Sequence, residues 1–411
     1  MTRRIVSAFV PLVLALSLAP PAQARLRLEW AHHAGRDLVA VQVDADGSSV
    51  AAGRWDATGF GFGMLVVRYG PGGGKEWARH WRPSSNQNAF ASATDVAIGP
   101  GGRIYVAGWA HPRHCGEGIV WFLRAYSPNG RFLWMRSAHD WRHCSGASSG
   151  TGVGVGGGLI AVSGLQQGCC DDPYHEGWVR AFGMNGRRLW TNRFEPGWNY
   201  QTWDLARDVA VGKLGSVYAV GSVDVRADDG RGPAPDREAM IQKISATGST
   251  LWTRVLQQAG DRNTDEAQAV DVRGDALVVA ARLNGGEAWS AFGQRGHTWL
   301  ARYDVGGSLV WSKDWGKRQR RAETPSDVQL GTDGTIAVTG TRYVKAKRGT
   351  DAVTRTFAPH GRAIQVLRRH GQARWILSGG GVPWRGTLTI TFGTSDGKYP
   401  SARHGTIQRW A

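Results

Sequence analysis

A tryptophan returns in the same local setting along nearly the whole of this 411-residue chain. It stands at Trp30, Trp77, Trp134, Trp190, Trp252 and Trp311, with Gln365 in the seventh place; by subtraction of those positions the marks lie 47 to 62 residues apart. The segments between them repeat as well. "TDVAIGPGGRIYVAG" (Thr94–Gly108) returns as "RDVAVGKLGSVYAVG" (Arg207–Gly221) and "SDVQLGTDGTIAVTG" (Ser326–Gly340). Each holds two alternating apolar runs around a glycine turn, which is the pattern of a β-hairpin. A second pair follows, as in "WVRAFGMNGRRLWTNR" (Trp178–Arg193), where the tryptophan sits in the last strand. Four short strands at a fixed long period specify one blade of a β-propeller.

The ends fit the same count. "RLRLEWAHH" (Arg25–His33) is a lone strand, whereas "ARWILSG", "TLTITFG" and "GTIQRWA" near the C-terminus are three strands lacking a fourth. We therefore expect an all-β, seven-bladed propeller of four-stranded antiparallel blades, with Leu26–His32 completing the C-terminal blade beside Gly405–Ala411. Such closure leaves no open sheet edge. Residues 25–411 read as one domain. Residues 1–24 read as a cleaved signal peptide: "MTRR", a short apolar stretch, and "AQA" at Ala22–Ala24. The expectation is a secreted or periplasmic monomer with no transmembrane segment after cleavage, in a compartment that permits disulfides.

The recurring tryptophan fills the gap between neighbouring sheets on this reading, since a flat ring can bury a large apolar area there. Asp95, Asp208, Asp271 and Asp327 each open an innermost strand. They read as carboxylates bonded to the backbone N–H groups of the adjoining turn, with a cation-holding ring at the channel mouth as the functional alternative. "DADGSS" (Asp44–Ser49) has only the start of a calcium loop and reads as a hairpin turn.

The pattern "DVAV…VYAVG" followed by "RAYSPNGRFLWMRS" resembles the secreted bacterial β-propeller repeats of the SBBP type, and its second half is similar to the quinoprotein propeller repeat. The likeness spans nearly all of the mature chain. It implies the architecture and a binding function more than a chemistry, because propellers host many functions.

Four cysteines lie in three connections that this topology brings to one face: Cys115, Cys144, and the adjacent Cys169 and Cys170. An exported chain with an even count points to disulfides. Three connectivities are open. Adjacent α-carbons ~3.8 Å apart fall below the usual disulfide span of ~4.4–6.8 Å, yet pairing Cys115 with Cys144 inside the second blade leaves the adjacent pair, and that is the arrangement we expect. A metal site is the second reading, from His114, His143, Asp171, Asp172 and His175, whose donors suit zinc or copper. The third follows from the quinoprotein resemblance, which implies a periplasmic oxidoreductase holding Ca2+ and pyrroloquinoline quinone (PQQ) against an adjacent-cysteine disulfide. This chain shares "CC" in a propeller loop, and Asp171, Asp172, Asn199 and Asp204 are the polar residues nearby. It departs in having seven blades rather than eight. The leading reading requires no cofactor.

The chain is basic, with 50 Lys+Arg against 33 Asp+Glu and a formal charge of +17. Outside the cytoplasm such a charge suits acidic polymers of the cell envelope better than nucleic acid. Two connections concentrate it. "KDWGKRQRRAE" follows the fifth blade and "RYVKAKRGTD" lies within the sixth. Together they carry Lys313, Lys317, Arg318, Arg320, Arg321, Arg342, Lys345, Lys347 and Arg348, with Trp315 able to stack on a sugar and arginine able to fork onto carboxylate or phosphate. The expected function is therefore a non-enzymatic scaffold that binds an anionic polysaccharide, another envelope polymer or a protein through its loop face.

Overall fold

The computed structural model describes residues 28–34, 37–56, 61–84, 89–111, 118–137, 147–167, 175–195, 204–224, 237–256, 264–283, 296–316, 322–344, 349–369, 375–395 and 404–411. These form strands and a single 3-10 turn at Pro100–Gly102. The strands make seven four-stranded antiparallel blades. The innermost strands of blades 1 to 7 are Asp37–Val43, Phe90–Ile98, Ser148–Gly156, Leu205–Val211, Glu266–Arg273, Glu323–Leu330 and Trp375–Trp384. The outermost strands of blades 1 to 6 are Lys75–Trp81, Phe132–Ser137, Arg188–Phe194, Thr250–Leu256, Leu309–Trp315 and Ala363–Arg369.

In blade 7, Leu28–His33 lies antiparallel to His404–Trp410 as the outer strand, with Trp30 opposite Arg409 and His33 opposite Thr406. Arg409 pins this seam. It pairs with Glu29 at 3.1 Å and donates to the Gly47 carbonyl of blade 1 at 2.7 Å. A single parallel bridge, Thr350 to Trp375, links the sheets of blades 6 and 7.

Tight turns join the first to the second strand and the third to the fourth, and they all emerge on one face, the turn face. The other connections lie opposite, on the loop face. Every break between the described stretches falls in one of those loop-face connections. The core is laid down between blades. Val50, Met64 and Val66 of blade 1, for example, pack with Val96, Val106 and Phe122 of blade 2, all fully buried. Both faces of an inner strand are covered in this way, so the inner strands read as continuous apolar runs.

The tryptophans are docking groups. Trp77 lies over Gly130, in the last turn of the next blade, and its Nε1 donates to the Pro128 carbonyl at 3.0 Å. Trp190 does the same with Gly248 and the Ala246 carbonyl, and Trp311 with Gly361 and the Pro359 carbonyl. Gly130 has φ +77, a conformation that costs any residue with a Cβ, and a Cβ there would lie 2.7 Å from the Trp77 ring. The lapse at Gln365 has a physical cause. Gln365 pairs with Thr356 as Trp311 pairs with Arg302, so it holds the docking position. The blade it faces has no turn between its third and fourth strands, because these are His404–Trp410 and Leu28–His33, from opposite ends of the sequence. There is no glycine on which a ring could dock.

Candidate functional site

The central channel is built from a repeated bulge. Each innermost strand breaks register once, at Leu38/Ala40, Ala93/Asp95, Gly150/Gly152, Ala206/Asp208, Ala267/Ala269, Pro325/Asp327 and Ser378/Gly381. A bulge turns an extra side chain inward. In blades 2, 4 and 6 the residue after it is aspartate; in blades 1, 3, 5 and 7 it is alanine or glycine.

The aspartates clasp the next blade. Asp95 accepts from the Val96 and Val153 N–H groups, both at 2.7 Å. Asp208 accepts from Val209 at 2.7 Å and Val270 at 2.9 Å. Asp327 accepts from the Gly381 N–H at 3.1 Å and the Gln329 amide at 3.2 Å. The bulged residue just before each aspartate adds a second bond to the same neighbour: Thr94 donates to the Gly150 carbonyl at 2.8 Å, Ser326 donates to the Gly379 carbonyl at 2.9 Å, and Arg207 pairs with Glu266. The small residues make room, for a Cβ at Gly152 would lie 2.6 Å from Asp208 Oδ1. Asp271 departs from the expected register. It stands three places beyond its blade's bulged residue, Gln268, and accepts from the Leu330 N–H at 2.7 Å.

Burial dominates the electrostatics of these carboxylates. It raises Asp208 to about 7 and Asp327 to about 6, with their neighbours Asp271 and Asp327 adding repulsion. Asp95 is also raised well above the ordinary carboxylate range, by burial and then by Asp208, and Asp271 is raised by burial. The channel above them is lined by the bulged residues Val39, Thr94, Thr151, Arg207, Gln268 and Ser326, and the channel below by Ala97, Val155, Val211 and Arg273. Every Asp oxygen named here already has a backbone or amide donor. Among the described residues, no group of three or more His, Cys, Asp or Glu side chains is arranged to hold a metal ion.

At the loop-face rim, acids at the start of innermost strands hold arginines. Asp37 takes Arg54 at 2.5 Å; Glu266 takes Arg207, and Arg282 at 3.6 Å; Glu323 takes Arg355 through Nη2 at 2.8 Å and Nε at 2.9 Å, and Arg342 at 3.9 Å. Of the sequence-predicted basic site, Lys313, Trp315 and Arg342 lie within the described residues. Arg342 is engaged with Glu323. Trp315 is half-buried, its ring 5.5 Å from Phe357 and 5.4 Å from the Arg355 guanidinium, so its first role is packing. Lys313 is exposed, but its stem lies beside Gly361 on the turn face and not with the loops. Lys317, Arg318, Arg320, Arg321, Lys345, Lys347 and Arg348 lie outside the described residues. The backbone flanking the two basic segments is joined, however: the Tyr343 N–H donates to the Ala322 carbonyl at 3.0 Å.

Cys115, Cys144, Cys169, Cys170, His114, His143, Asp171 and Asp172 also lie outside the described residues. His175 opens the third strand of blade 3, and burial followed by Arg237 pushes its imidazole down. Asp204, a polar candidate beside the proposed quinone, is buried and accepts from the Asp224 N–H at 3.0 Å. Within the described residues, then, no quinone-binding set can be assembled, and we derive no step through one. "DADGSS" is a hairpin turn whose Asp44 and Asp46 each hold Arg68 at 3.1 Å. The sequence reading overlooked the alternation of aspartate with small residues, although its signal was visible: the three quoted repeats beginning TDV, RDV and SDV come from blades 2, 4 and 6.

No protein-family model matches the chain, and no curated protein matches it in sequence. Its fold is similar to two solved structures of an ulvan lyase, described as a new polysaccharide lyase family, PL25. The TM-scores are 0.54 and 0.56 at 10% and 11% identity, covering 93% of this chain and 95% of the other. In the first, the lyase is bound to -[GlcA(1-4)Rha3S]-, a uronate and a sulfated rhamnose. No helix among the described residues is long and apolar enough to cross a membrane.

Proposed function

We propose that this chain is an exported propeller that binds an anionic polysaccharide through its loop face, at the junction of blades 5 and 6. The observation that carries this reading is the hydrogen bond from Tyr343 to Ala322. It draws together the flanks of two segments that hold Lys317, Arg318, Arg320, Arg321, Lys345, Lys347 and Arg348 with no acidic residue among them. The propeller similar to it in fold, bound to an oligosaccharide of uronate and sulfated sugar, supports the class of ligand.

A polyanion held by such a cluster is bound largely through release of its counterions, so affinity falls steeply with salt. The test is retention on an immobilised acidic polysaccharide across a salt gradient, comparing the parent with a variant carrying Arg318→Glu, Arg320→Glu, Lys345→Glu and Lys347→Glu. The variant is expected to elute at much lower salt with its melting temperature unchanged. Equal elution of the two proteins would move the ligand site elsewhere on the molecule. Following the chain length of the polymer during incubation separates binding from cleavage.

A further inference from the structure

Three arginines occupy one structural position, two residues before the last aromatic residue of the third strand of its blade: Arg124 in blade 2, Arg180 in blade 3 and Arg355 in blade 6. Each points into the cleft toward the preceding blade. Two of them are satisfied. Arg124 donates to the Tyr126 hydroxyl at 2.9 Å and is covered by Trp81, from the end of blade 1, with its guanidinium 4.3 Å from the ring. Arg355 grips Glu323 and is covered by Trp315, from the end of blade 5.

Arg180 is stacked on tryptophans as well, but its Nε lacks the hydrogen-bond partner that the other two have among the described residues. Its guanidinium lies 4.0 Å from the Trp178 ring and 5.0 Å from the Trp121 ring, and the two indoles are 5.5 Å apart. Its Nε is buried with no hydrogen-bond acceptor, and the Nε1 donors of Trp121 and Trp178, residues 3% and 4% exposed, are equally unmatched. The charged neighbour among the described residues is another cation, Arg188. Burial, and then Arg188, push Arg180 down to about 10, which still leaves it charged at neutral pH. The covering tryptophan is also missing from the sequence: the residue four places after Trp134, corresponding to Trp81 and Trp315, is Ala138.

A half-buried cation beside unmatched donors, with a second cation nearby and no acceptor at its Nε among the described residues, is a strongly unbalanced arrangement for a protein interior. An oxyanion supplies what is missing. It brings negative charge and several acceptor oxygens, and its planar or tetrahedral edge fits the guanidinium fork. We propose that the cleft between blades 2 and 3 is an oxyanion site, in which Arg180, held between Trp121 and Trp178, binds a sulfate or carboxylate group. Such a group comes either from a free ion or from an acidic polymer. The site is separate from the loop-face cluster at blades 5 and 6 and stands whether or not that cluster binds polysaccharide.

Inorganic sulfate is the first probe. The thermal midpoint of the full chain is followed in sodium sulfate and in sodium chloride at matched ionic strength, for the parent and for Arg180→Met. Sulfate stabilises most proteins by exclusion from their surface, so the diagnostic is a saturable increment beyond that general rise. It is expected in the parent and lost in Arg180→Met, with sulfate affinity weakened roughly tenfold or more. Without sulfate, Arg180→Met is expected to melt no lower than the parent, because a buried charge lacking its partner gives way to an apolar chain of similar length. Arg180→Lys, which keeps the charge and loses the fork, is expected to retain a weaker increment; this second variant keeps the test decisive if the methionine variant folds poorly.

Identical sulfate responses in parent and Arg180→Met, or no saturable part in the parent, would overturn the site. The source is read by adding a sulfated polysaccharide and a non-sulfated uronate polymer at equal anion equivalents. Loss of the sulfate increment by competition identifies a polymer-borne group, and its persistence identifies a free oxyanion. The loop-face charge-reversal variant serves as a control: it keeps the sulfate increment if the cleft site is real, whatever happens to polymer retention.

Discussion

Trp190 of blade 4's neighbour, blade 3, lies against Gly248 of blade 4, so close that a Cβ on the glycine would come within 2.8 Å of the indole Cγ. The indole Nε1 also donates to the Ala246 carbonyl, two residues before that glycine, at 2.9 Å. Ring and turn thus fix each other; the ring-on-glycine contact recurs at Trp30, Trp77, Trp134, Trp252 and Trp311, and the indole bond at Trp77 and Trp311. Replacing Gly248 with alanine sets a side chain at φ +96 and forces the ring away. We expect a loss of about 2–4 kcal/mol, from left-handed strain and overpacking together, measured by denaturant unfolding. Gln365→Trp makes the opposite control. With no turn to receive the ring, it is expected to change stability by less than about 0.5 kcal/mol.

The buried carboxylates predict an unusual pH profile. Asp208 and Asp327 hold their protons up to about 7 and about 6 in the folded ring, well above the value in an unfolded chain. Between the ordinary carboxylate range and those values the folded state therefore binds more protons than the unfolded state, and stability falls as pH rises. The contribution is fully present below about 4 and is lost by about pH 7. Glu266 acts with the opposite sign. Burial raises it, but Arg207 and Arg282 outweigh that and hold it low, so its contribution is lost on acidification. The thermal midpoint should accordingly rise between pH 7.5 and 5.5, and Asp208→Asn should flatten that rise. A midpoint that falls over this interval would count against protonated aspartates in the channel.

How much of this was readable in advance follows from the range of each interaction. Tight turns and strand alternation are local, so the seven blades and even the place of Gln365 stood out in the chain. The role of Asp95 did not, because its second acceptor contact is with Val153, which belongs to the next blade and carries no mark of its own. Trp315 looked like a free stacking platform for the same reason: Phe357 and Arg355, which occupy it, lie some forty residues away in sequence. Arg180 stands out only by comparison with Arg124 and Arg355 after the blades are superposed in register.

The pairing of Leu28–His33 with His404–Trp410 predicts the effect of truncation. Removing residues up to His33 strips the outer strand from blade 7, the partner of Arg409 at Glu29, and the ring of Trp30 that lies over Gly73 of blade 1. The exposed edge of His404–Trp410 becomes a template for another chain. Such a protein is expected to aggregate on purification, as size-exclusion chromatography would show, whereas a protein beginning at Arg25 should not.

The four cysteines are expected to resist alkylation in exported protein until a reductant is added. Peptide mapping without reduction reads the connectivity, with Cys115–Cys144 and Cys169–Cys170 the proposed pairs. Four thiols that alkylate freely in the folded, unreduced chain would reject the disulfides. Losing a bridge in so large a propeller should cost less than the ~2–5 kcal/mol seen in small secreted domains.

The seam in blade 7 also fixes how the molecule can be held. Leu28 stands opposite Trp410, so the first and last described strands meet at a single corner of the turn face. A surface or label joined at Ala411 therefore sits on the turn-face side of the ring. The loop-face ends of the strands lie on the opposite side, so immobilisation through a tag joined at Ala411 would turn the loop face toward a polymer in solution.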